Sequence, residues 1–417
     1  MRVLVIGSGG REHALCRALA ADPAVTALHV APGNPGMAAH AIRHAVDSAD
    51  PAAIGALARR LAPGLVVIGQ ETPLVAGVAD VLAEAGIACF GPRRDAAMIE
   101  GSKSFAKDVM AAAGIPTAAA VTARTPGEAG DALDRFGPPY VVKADGLAAG
   151  KGVLVTTDRA AALAHAAAAG PVVIEEYLDG PEVSVFALAD GQHAVPLLPA
   201  QDFKRAHDGD AGPNTGGMGA YTPLPWAPDD LADEALTTVI QPALGELRRR
   251  GTPFSGVLYA GLALTAKGPR VIEFNARFGD PEIQVVLDRL DTPLCGLLAA
   301  AAQPGGLAGP GPLAWRQGSA VTVVLAAEGY PGTSARGDEI TGLDDAAAEP
   351  GAYLLHANTT LADGGTLVSA GGRVLNVVGT GPDLAAARDT AYRAAGRIVM
   401  RGGWYRHDIA AAAAARP

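Results

Sequence analysis

The 417-residue chain has only three cysteines, Cys16, Cys89 and Cys295, widely separated and matching no metal-binding or redox spacing. That speaks against a disulfide framework and fits small buried thiols in a reducing compartment. Cations are scarce as well. Lysine and arginine number 33 against 43 aspartates and glutamates, a net charge of −10 that argues against a surface built for nucleic acid or anionic membrane. Any phosphate must therefore be held by a few placed cations. No stretch approaches the roughly 18 uninterrupted apolar residues of a membrane span, and the apolar run before Gly7 is too short for a signal-peptide core. A cytoplasmic protein with neither a nucleic-acid nor a membrane partner is expected.

What the chain does have is apolar residues, 49% of the total, and 53 glycines. Its length predicts two to four domains. Over the first hundred residues "RVLVIG", "ALHVA", "GLVVIG" and "IACFGP" alternate with helical stretches such as "PAAIGALARRLA" and "VAGVADVLAEAG". This predicts a small doubly wound parallel domain, whose ligands bind outside the carboxyl ends of its strands. The loops "GSGGRE", "APGNPG" and "GQE" fall at those ends and should line one crevice. In "VLVIGSGGREHA" Gly7 and Gly9 suit a dinucleotide fingerprint, but Glu12 stands at the third glycine. Ala31, Pro32 and Gly33 stand where a ribose-binding acid belongs. The loop can approach an anion without being a dinucleotide site.

Around Gly101 the pattern changes. "GSKSFAKDVMAAAGIPT" predicts a helix with two lysines. "VVKADGLAAGKGV" sets Lys143 and Lys151 around Gly146, Gly150 and Gly152, whose amides can approach an anion unobstructed. "VVIEEYLDGPEVS" ends a strand in Glu175 and Glu176, and a carboxylate buried there is costly unless it meets a ligand. The backbone at Tyr177 and Leu178 could pair with an adenine edge, and Glu182 could accept from ribose hydroxyls. A surface acidic strand end stays open as the other reading. Residues 200–223 look too irregular for a core element, and loops this long are usually functional or disordered. In "VIEFNARFGDPE" Glu273 and Asn275 stand two apart on a strand, so both side-chain oxygens leave one face and can meet one hard cation, for which magnesium is suited. Arg277 continues that face with a planar fork for phosphate or carboxylate. A Pro/Gly-rich linker at 303–312 precedes an antiparallel-sheet-plus-helix unit.

Taken in order, "GSGGREHA", "GSKSFAKDVM", "VVKADGLAAGKGV", "VVIEEYLDGPEVS", "DFKRAHDGDAGPNTGGMGAY", "FSGVLYAGL" and "VIEFNARFGDPE" resemble the phosphoribosylamine-glycine ligase family, ATP-grasp enzymes of purine biosynthesis, over essentially the whole chain. The resemblance implies an α/β and α+β multidomain fold. It comprises an N-terminal doubly wound parallel sheet domain over 1–102, an ATP-grasp core over 103–308 with a small lid at about 119–188, and a C-terminal antiparallel-sheet-plus-helix domain over 317–417. It also implies ligation of glycine to 5-phosphoribosylamine through glycyl phosphate, with ATP consumed and magnesium or manganese as the metal.

Carried over by position, Lys103, Lys143 and Lys151 would contact ATP phosphates, Lys143 and Lys151 acting in catalysis with Arg277. Glu176 and Leu178 would contact adenine through their backbone, Glu175 and Tyr177 would belong to the same ATP site, Glu182 would face the ribose, and Glu273 and Asn275 the metal. Gly9, Gly10, Arg11, Glu12, Asn34 and Glu71 would face phosphoribosylamine, together with parts of the loop of Asn214, Thr215, Gly216, Gly217 and Met218. Asp202, Lys204, Gly279 and Asp280 complete the substrate set, and Arg277 would steady the glycine carboxylate or its phosphate. A monomer is expected. The bridge "AHAAAAGP" before Val172 is shorter than the family's, which leaves lid size open; "LYAGLAL" offers no acidic ligand for a second metal. A dehydrogenase on the first hundred residues, another ATP-grasp ligase and a non-catalytic nucleotide sensor are the alternatives. "GPNTGGMGAY" speaks against the second, and intact Lys143, Glu273, Asn275 and Arg277 against the third.

Overall fold

Five parallel strands form the first layer, in the order β3-β2-β1-β4-β5. They are β1 (Arg2–Gly7), β2 (Ala27–Pro32), β3 (Ile42–Arg43), β4 (Leu65–Ile68) and β5 (Cys89–Phe90). Val3, Leu4, Val5 and Ile6 are completely buried, as befits a central strand covered on both faces. Helices α1 (Gly10–Ala20), α2 (Pro51–Leu61), α3 (Glu71–Ala76) and α4 (Val78–Glu84) link the strands, and Asp50 caps α2 by accepting from the Ala52 and Ala53 N–H groups. The helix expected over 75–86 is broken by Gly77, whose φ of +91° no ordinary helical residue adopts. This computed structural model describes residues 1–147, 152–309 and 311–415.

Helices α5 (Arg94–Gly101) and α6 (Lys103–Ala113) lead to a small antiparallel sheet of order β6-β9-β7-β8. Its strands are β6 (Ala120–Ala123), β7 (Tyr140–Ala144), β8 (Val153–Thr156) and β9 (Val172–Glu175). With α7 (Pro126–Phe136) and α8 (Arg159–Ala169) it encloses its own core, including Leu133, Val142, Ala162 and Ile174. The unit stops at Glu175, short of the limit expected near 188. The reason is that β10 (Glu182–Asp190) pairs antiparallel with β16 (Ser255–Thr265) along its whole length, in the next sheet. That sheet has the order β11-β10-β16-β17, with β11 (Ala194–Pro196) and β17 (Gly268–Asn275). The β16–β17 hairpin forms as the sequence predicts and sets Gly261 opposite Glu273 and Tyr259 opposite Asn275.

Residues 200–223 differ from the expected irregular loop. They form β12 (Gln201–Asp202), β13 (Arg205–His207), β14 (Ala211–Asn214) and β15 (Gly219–Thr222). The buried tetrapeptide of β15, hidden in sequence by its polar flanks, pairs antiparallel with β18 (Ser319–Ala326). The C-terminal sheet thus borrows two strands from the central segment. Among the later elements are α9 (Leu231–Ala235), α10 (Gln241–Arg249), α11 (Glu282–Arg289), α12 (Leu294–Ala301), β19 (Ile340–Thr341), α13 (Leu343–Ala347), β20 (Ala352–His356), β21 (Thr359–Leu361), β22 (Leu367–Ser369), β23 (Arg373–Gly381) and α14 (Leu384–Ala395). The sheet order is β12-β15-β18-β23-β20. Alternation along β18 sends Val321 and Val323 to the same core as Ala387 and Ala391 of α14, and Ala320 to the core holding Ile283 and Val286 of α11. Both faces are therefore covered. Gly379 and Gly381 let α14 lie directly on β23, since a Cβ at either would collide with its backbone.

Candidate active site

The three strand-end loops of the first domain do meet. Asn34 Nδ2 donates to the carbonyls of Ser8 and His356, each at 2.8 Å. Glu12 lies between Gly7 and Gly69, where a Cβ on either glycine would collide with it. This explains the glutamate at the third position: its Oε2 accepts from Gly9 N–H at 2.6 Å and its Oε1 from Arg11 Nε at 2.6 Å, which closes the loop on itself. Glu12 is completely buried and Asn34 nearly so, and the polar atoms of both hold loops together. Gly10 lies against Asn376 of β23, where a Cβ would stand 2.1 Å from the Asn376 amide nitrogen.

Arg11 and Arg277 share one acidic cluster. Arg11 Nη1 donates to the Phe278 carbonyl at 2.9 Å, and Arg277 lies 3.4 Å from Glu71 through Nε and 3.2 Å from Glu100 through Nη2. Against the pull of burial, Arg277 and Arg11 hold the Glu71 carboxyl down to about 2. Burial pushes Glu100 up despite Arg277. The fork of Arg277 is thus oriented by two carboxylates. Glu100, which also accepts from Ala276 N–H at 2.8 Å, was not foreseen.

The second cluster carries the lysines. Lys103 is the first residue of α6, whose cap Ser102 accepts from Phe105 N–H and donates to Asp145. Its ammonium donates to the Gly146 carbonyl at 3.0 Å, and burial holds it below its ordinary value while Glu273 opposes. Buried Lys143 donates to the Ile272 carbonyl at 2.7 Å and pairs with Glu175 at 2.8 Å. Lys107, one turn along α6 from Lys103, takes the other oxygen of Glu175 at 3.1 Å. Both oxygens of Glu175 are therefore engaged by lysines; the i, i+4 spacing of Lys103 and Lys107 was the signal for the second of them. Glu176 accepts from Ala119 N–H at 2.9 Å and pairs with Arg270 at 2.9 Å, which together hold its carboxyl below the usual range. Tyr177 is exposed and Leu178 half-buried. Lys151 and Gly150 lie outside the described residues.

Between these clusters sits the carboxylate–amide pair of β17. Burial pushes Glu273 up, yet Lys204, Lys143, Lys103 and Arg277 together hold it below the usual carboxylate range. It is thus ionised and ready to meet a cation. Asn275, two residues on, is buried on the same strand. Among the described residues no group of three His, Cys, Asp or Glu side chains could cage a metal. Two oxygen donors without a third suit a magnesium-like ion, which keeps waters and takes phosphate oxygens as further ligands. Exposed Glu182 pairs with Lys204 at 2.6 Å. Burial pushes the Asp202 carboxyl up to about 7 against the pull of Lys204, with Glu282 adding to the rise. Glu282 accepts from Tyr259 OH at 2.9 Å and Ser184 Oγ at 3.2 Å, and Gly279 leaves room for it.

In the glycine loop, Thr215 Oγ1 donates to the Lys204 carbonyl at 2.9 Å and accepts from Gly217 N–H at 3.0 Å. Asn214 ends β14 half-buried. Met218 is completely buried and bonds through its backbone to Phe203 and Val324, so it anchors the loop.

A small antiparallel sheet with two helices, set beside a larger sheet whose Glu273 meets Lys143 of the small sheet together with Lys103 and Lys204, defines an ATP-grasp enzyme. Family models agree. Phosphoribosylglycinamide synthetase N domain matches residues 1–100, its ATP-grasp (A) domain 101–283 and its C domain 320–412. The chain belongs to the phosphoribosylglycinamide synthetase family. It is 64% identical over 416 residues to a phosphoribosylamine-glycine ligase of Streptomyces coelicolor, covering 99% of this chain and 100% of that one. To the phosphoribosylamine-glycine ligase of Mycobacterium leprae it is 57% identical over 423 residues, 99% of each. The crystal structure of the ligase from Thermotoga maritima superposes with a TM-score of 0.83 at 36% identity, over 98% of this chain and 100% of that one. As an ATP-grasp enzyme the chain uses ATP with a divalent metal.

Proposed function

We propose that this enzyme ligates glycine to 5-phosphoribosylamine, giving glycinamide ribonucleotide, ADP and phosphate, a step of purine biosynthesis. The observation that carries the reading is the gathering of Lys103, Lys143, Lys204 and Arg277 around Glu273 in a chain of this family. A carboxylate acylates an amine poorly because its oxygen is a poor leaving group. In the proposed route a glycine carboxylate oxygen attacks the γ-phosphorus of ATP, the bond to ADP breaks, and glycyl phosphate forms. The amine nitrogen of phosphoribosylamine then attacks the carbonyl carbon, phosphate departs with the bonding pair, and the nitrogen loses a proton to water.

Phosphoryl transfer asks mainly for positioning and charge neutralisation. Lys103, Lys143 and Lys151 are proposed to supply these at the phosphates, and no protein nucleophile is needed. The Glu176 N–H already bonds Ala119, so its carbonyl and the backbone of Leu178 are the proposed adenine contacts, with Glu182 toward the ribose. Glu273 and Asn275 would hold magnesium, or manganese, which when bound neutralises phosphate charge. Gly9, Gly10 and Arg11 are proposed to lie along the sugar phosphate. Asp202, Lys204, Thr215, Gly216 and Asp280 are proposed to lie near the reacting ends, and Arg277 by the glycine carboxylate. Units 1–102, 103–308 and 317–417 are the proposed functional divisions, with the lid ending at Glu175 and excluding water from an intermediate that hydrolyses readily. A cytoplasmic monomer completes the reading; the chain has no described helix long and apolar enough to cross a membrane.

The test is an ADP-release assay with freshly made phosphoribosylamine and glycine, each omitted in turn. Full ADP release without the amine would overturn the assignment.

A further inference from the structure

Arg373 opens β23, and its own carbonyl is pinned by Asn358, through N–H at 3.1 Å and Nδ2 at 3.0 Å. From there its side chain reaches out of the C-terminal sheet into two loops of the central segment. Nη1 donates to the carbonyls of Gly216 at 2.5 Å, Gly217 at 3.3 Å and Asp280 at 2.5 Å, while Nη2 meets Asp280 Oδ2 at 3.0 Å. Tyr330 OH, also from the C-terminal unit, accepts from Gly216 N–H at 2.9 Å. Both peptide groups of Gly216 are thus gripped by one unit.

This contact explains the glycine pair. A Cβ on Gly216 would stand 3.0 Å from Arg373 Cζ, and one on Gly217, whose φ is +107°, would stand 2.5 Å from Pro281 Cδ. The two glycines make room for Arg373 and Pro281, so their lack of side chains does not by itself indicate an anion. Asp280 Oδ2 in turn lies 3.7 Å from where a Cβ on Gly9 would be, so the guanidinium also sets the carboxylate that borders the first-domain loop.

We propose that Arg373 is a positioning residue of the ligase site. It fixes the 214–218 loop and Asp280 in one arrangement and thereby sets how the amine of the sugar-phosphate acceptor meets the activated glycine. The proposal rests on the ligase reading above. The planar fork suits this task because Nη1, sharing its two hydrogens among three carbonyls, and Nη2 reach two loops at once from two fixed nitrogens, whereas a lysine offers one.

The test is steady-state kinetics of Arg373→Ala, Arg373→Lys and Tyr330→Phe beside the parent, with nucleotide affinity and thermal midpoint measured on each. Arg373→Ala is expected to lose about 30-fold in kcat/KM for phosphoribosylamine, with nucleotide Kd within about twofold of the parent. Because the Arg373 side chain is partly open to solvent, added guanidinium ion should restore part of the rate of Arg373→Ala but leave Tyr330→Phe unchanged. A folded Arg373→Ala enzyme within about threefold of the parent, or one weakened equally toward nucleotide and unrescued, overturns the proposal. If Arg373→Ala does not fold, Arg373→Lys and Tyr330→Phe decide, and full activity in both overturns it. A parent that fails the substrate-omission assay overturns instead the ligase reading, and with it the substrate named here.

Discussion

Lys143 Nζ lies 2.8 Å from Glu175 Oε2, and Lys107 holds the other oxygen of the same carboxylate at 3.1 Å. One anion thus serves two cations in a nearly dry place, and each lysine completes its shell with backbone carbonyls, Ile272 for Lys143 and Ala118 for Lys107. Glu175→Gln leaves two buried ammonium groups facing each other without a counter-charge. The variant is expected to lose on the order of 3 kcal/mol in urea unfolding. Saturating Mg-ATP should raise its midpoint more than it raises the parent's, because phosphate oxygens supply the missing charge at Lys143. A loss below about 1 kcal/mol would remove Glu175 from this role.

Gly69 and Gly127 make a matched pair of opposite sign. A Cβ on Gly69 runs into the Glu12 carboxylate, whereas a Cβ on Gly127, in the first turn of α7, meets nothing within 4 Å. Gly69→Ala is expected to cost about 1–3 kcal/mol through overpacking of a buried, fully bonded carboxylate. Gly127→Ala should be neutral or stabilise by about 0.5 kcal/mol through lower unfolded-state entropy. Chemical denaturation reads both, and equal effects would contradict the wedged position of Glu12.

How much of this was legible beforehand follows from range. The placement of Glu273 and Asn275 on one face of a strand, the β16–β17 hairpin and the parallel first domain rest on short-range patterns, and the sequence displays them. What it did not display depends on contacts hundreds of residues apart. Asn34 reaches His356, Arg373 reaches Gly216, and β15 finds β18, none of which leaves a local trace. The wedging of the Glu12 carboxylate beside Gly69 likewise leaves no trace in the glycine loop itself. Lys107 was within reach, since it repeats Lys103 after one helical turn.

His13 makes the interface of the first and last units sensitive to acid. It is buried beside His356 and His40, and its Nδ1 accepts from His356 N–H at 2.8 Å. Burial, with His356 and His40 adding, pushes its pKa down to about 3, and burial pushes His356 down to about 4. The folded state therefore binds fewer protons than the unfolded chain below the ordinary histidine value near 6.5. Their contribution to stability is fully present above that pH and is lost as pH falls toward 4, at about 1.4 kcal/mol per pH unit for buried His13. Urea midpoints measured from pH 7 to 4.5 should fall in the parent and fall less in His13→Asn, whose amide oxygen can still accept from His356. An unchanged slope in the variant would exclude His13 as the source.

Glu273 is the last and sharpest test, because charge at this position can be varied with little change of volume. Four cations surround it and hold it ionised against burial, so a protonated or amidated side chain there removes the full anion proposed to meet a divalent metal. Asn275 alone, a neutral donor, cannot replace it. Glu273→Gln is expected to keep the fold within a few degrees of the parent's midpoint, since the four cations can be resolvated from the cleft. Half-saturating magnesium in the ADP-release assay should rise by about 10- to 100-fold, the usual cost of altering a metal site, and Glu273→Ala should abolish ADP formation altogether. Chelation of the metal should silence the parent in the same assay. Glu273→Ala turning over at ordinary magnesium would move the metal away from β17, and with it the reason for the lysines to converge there.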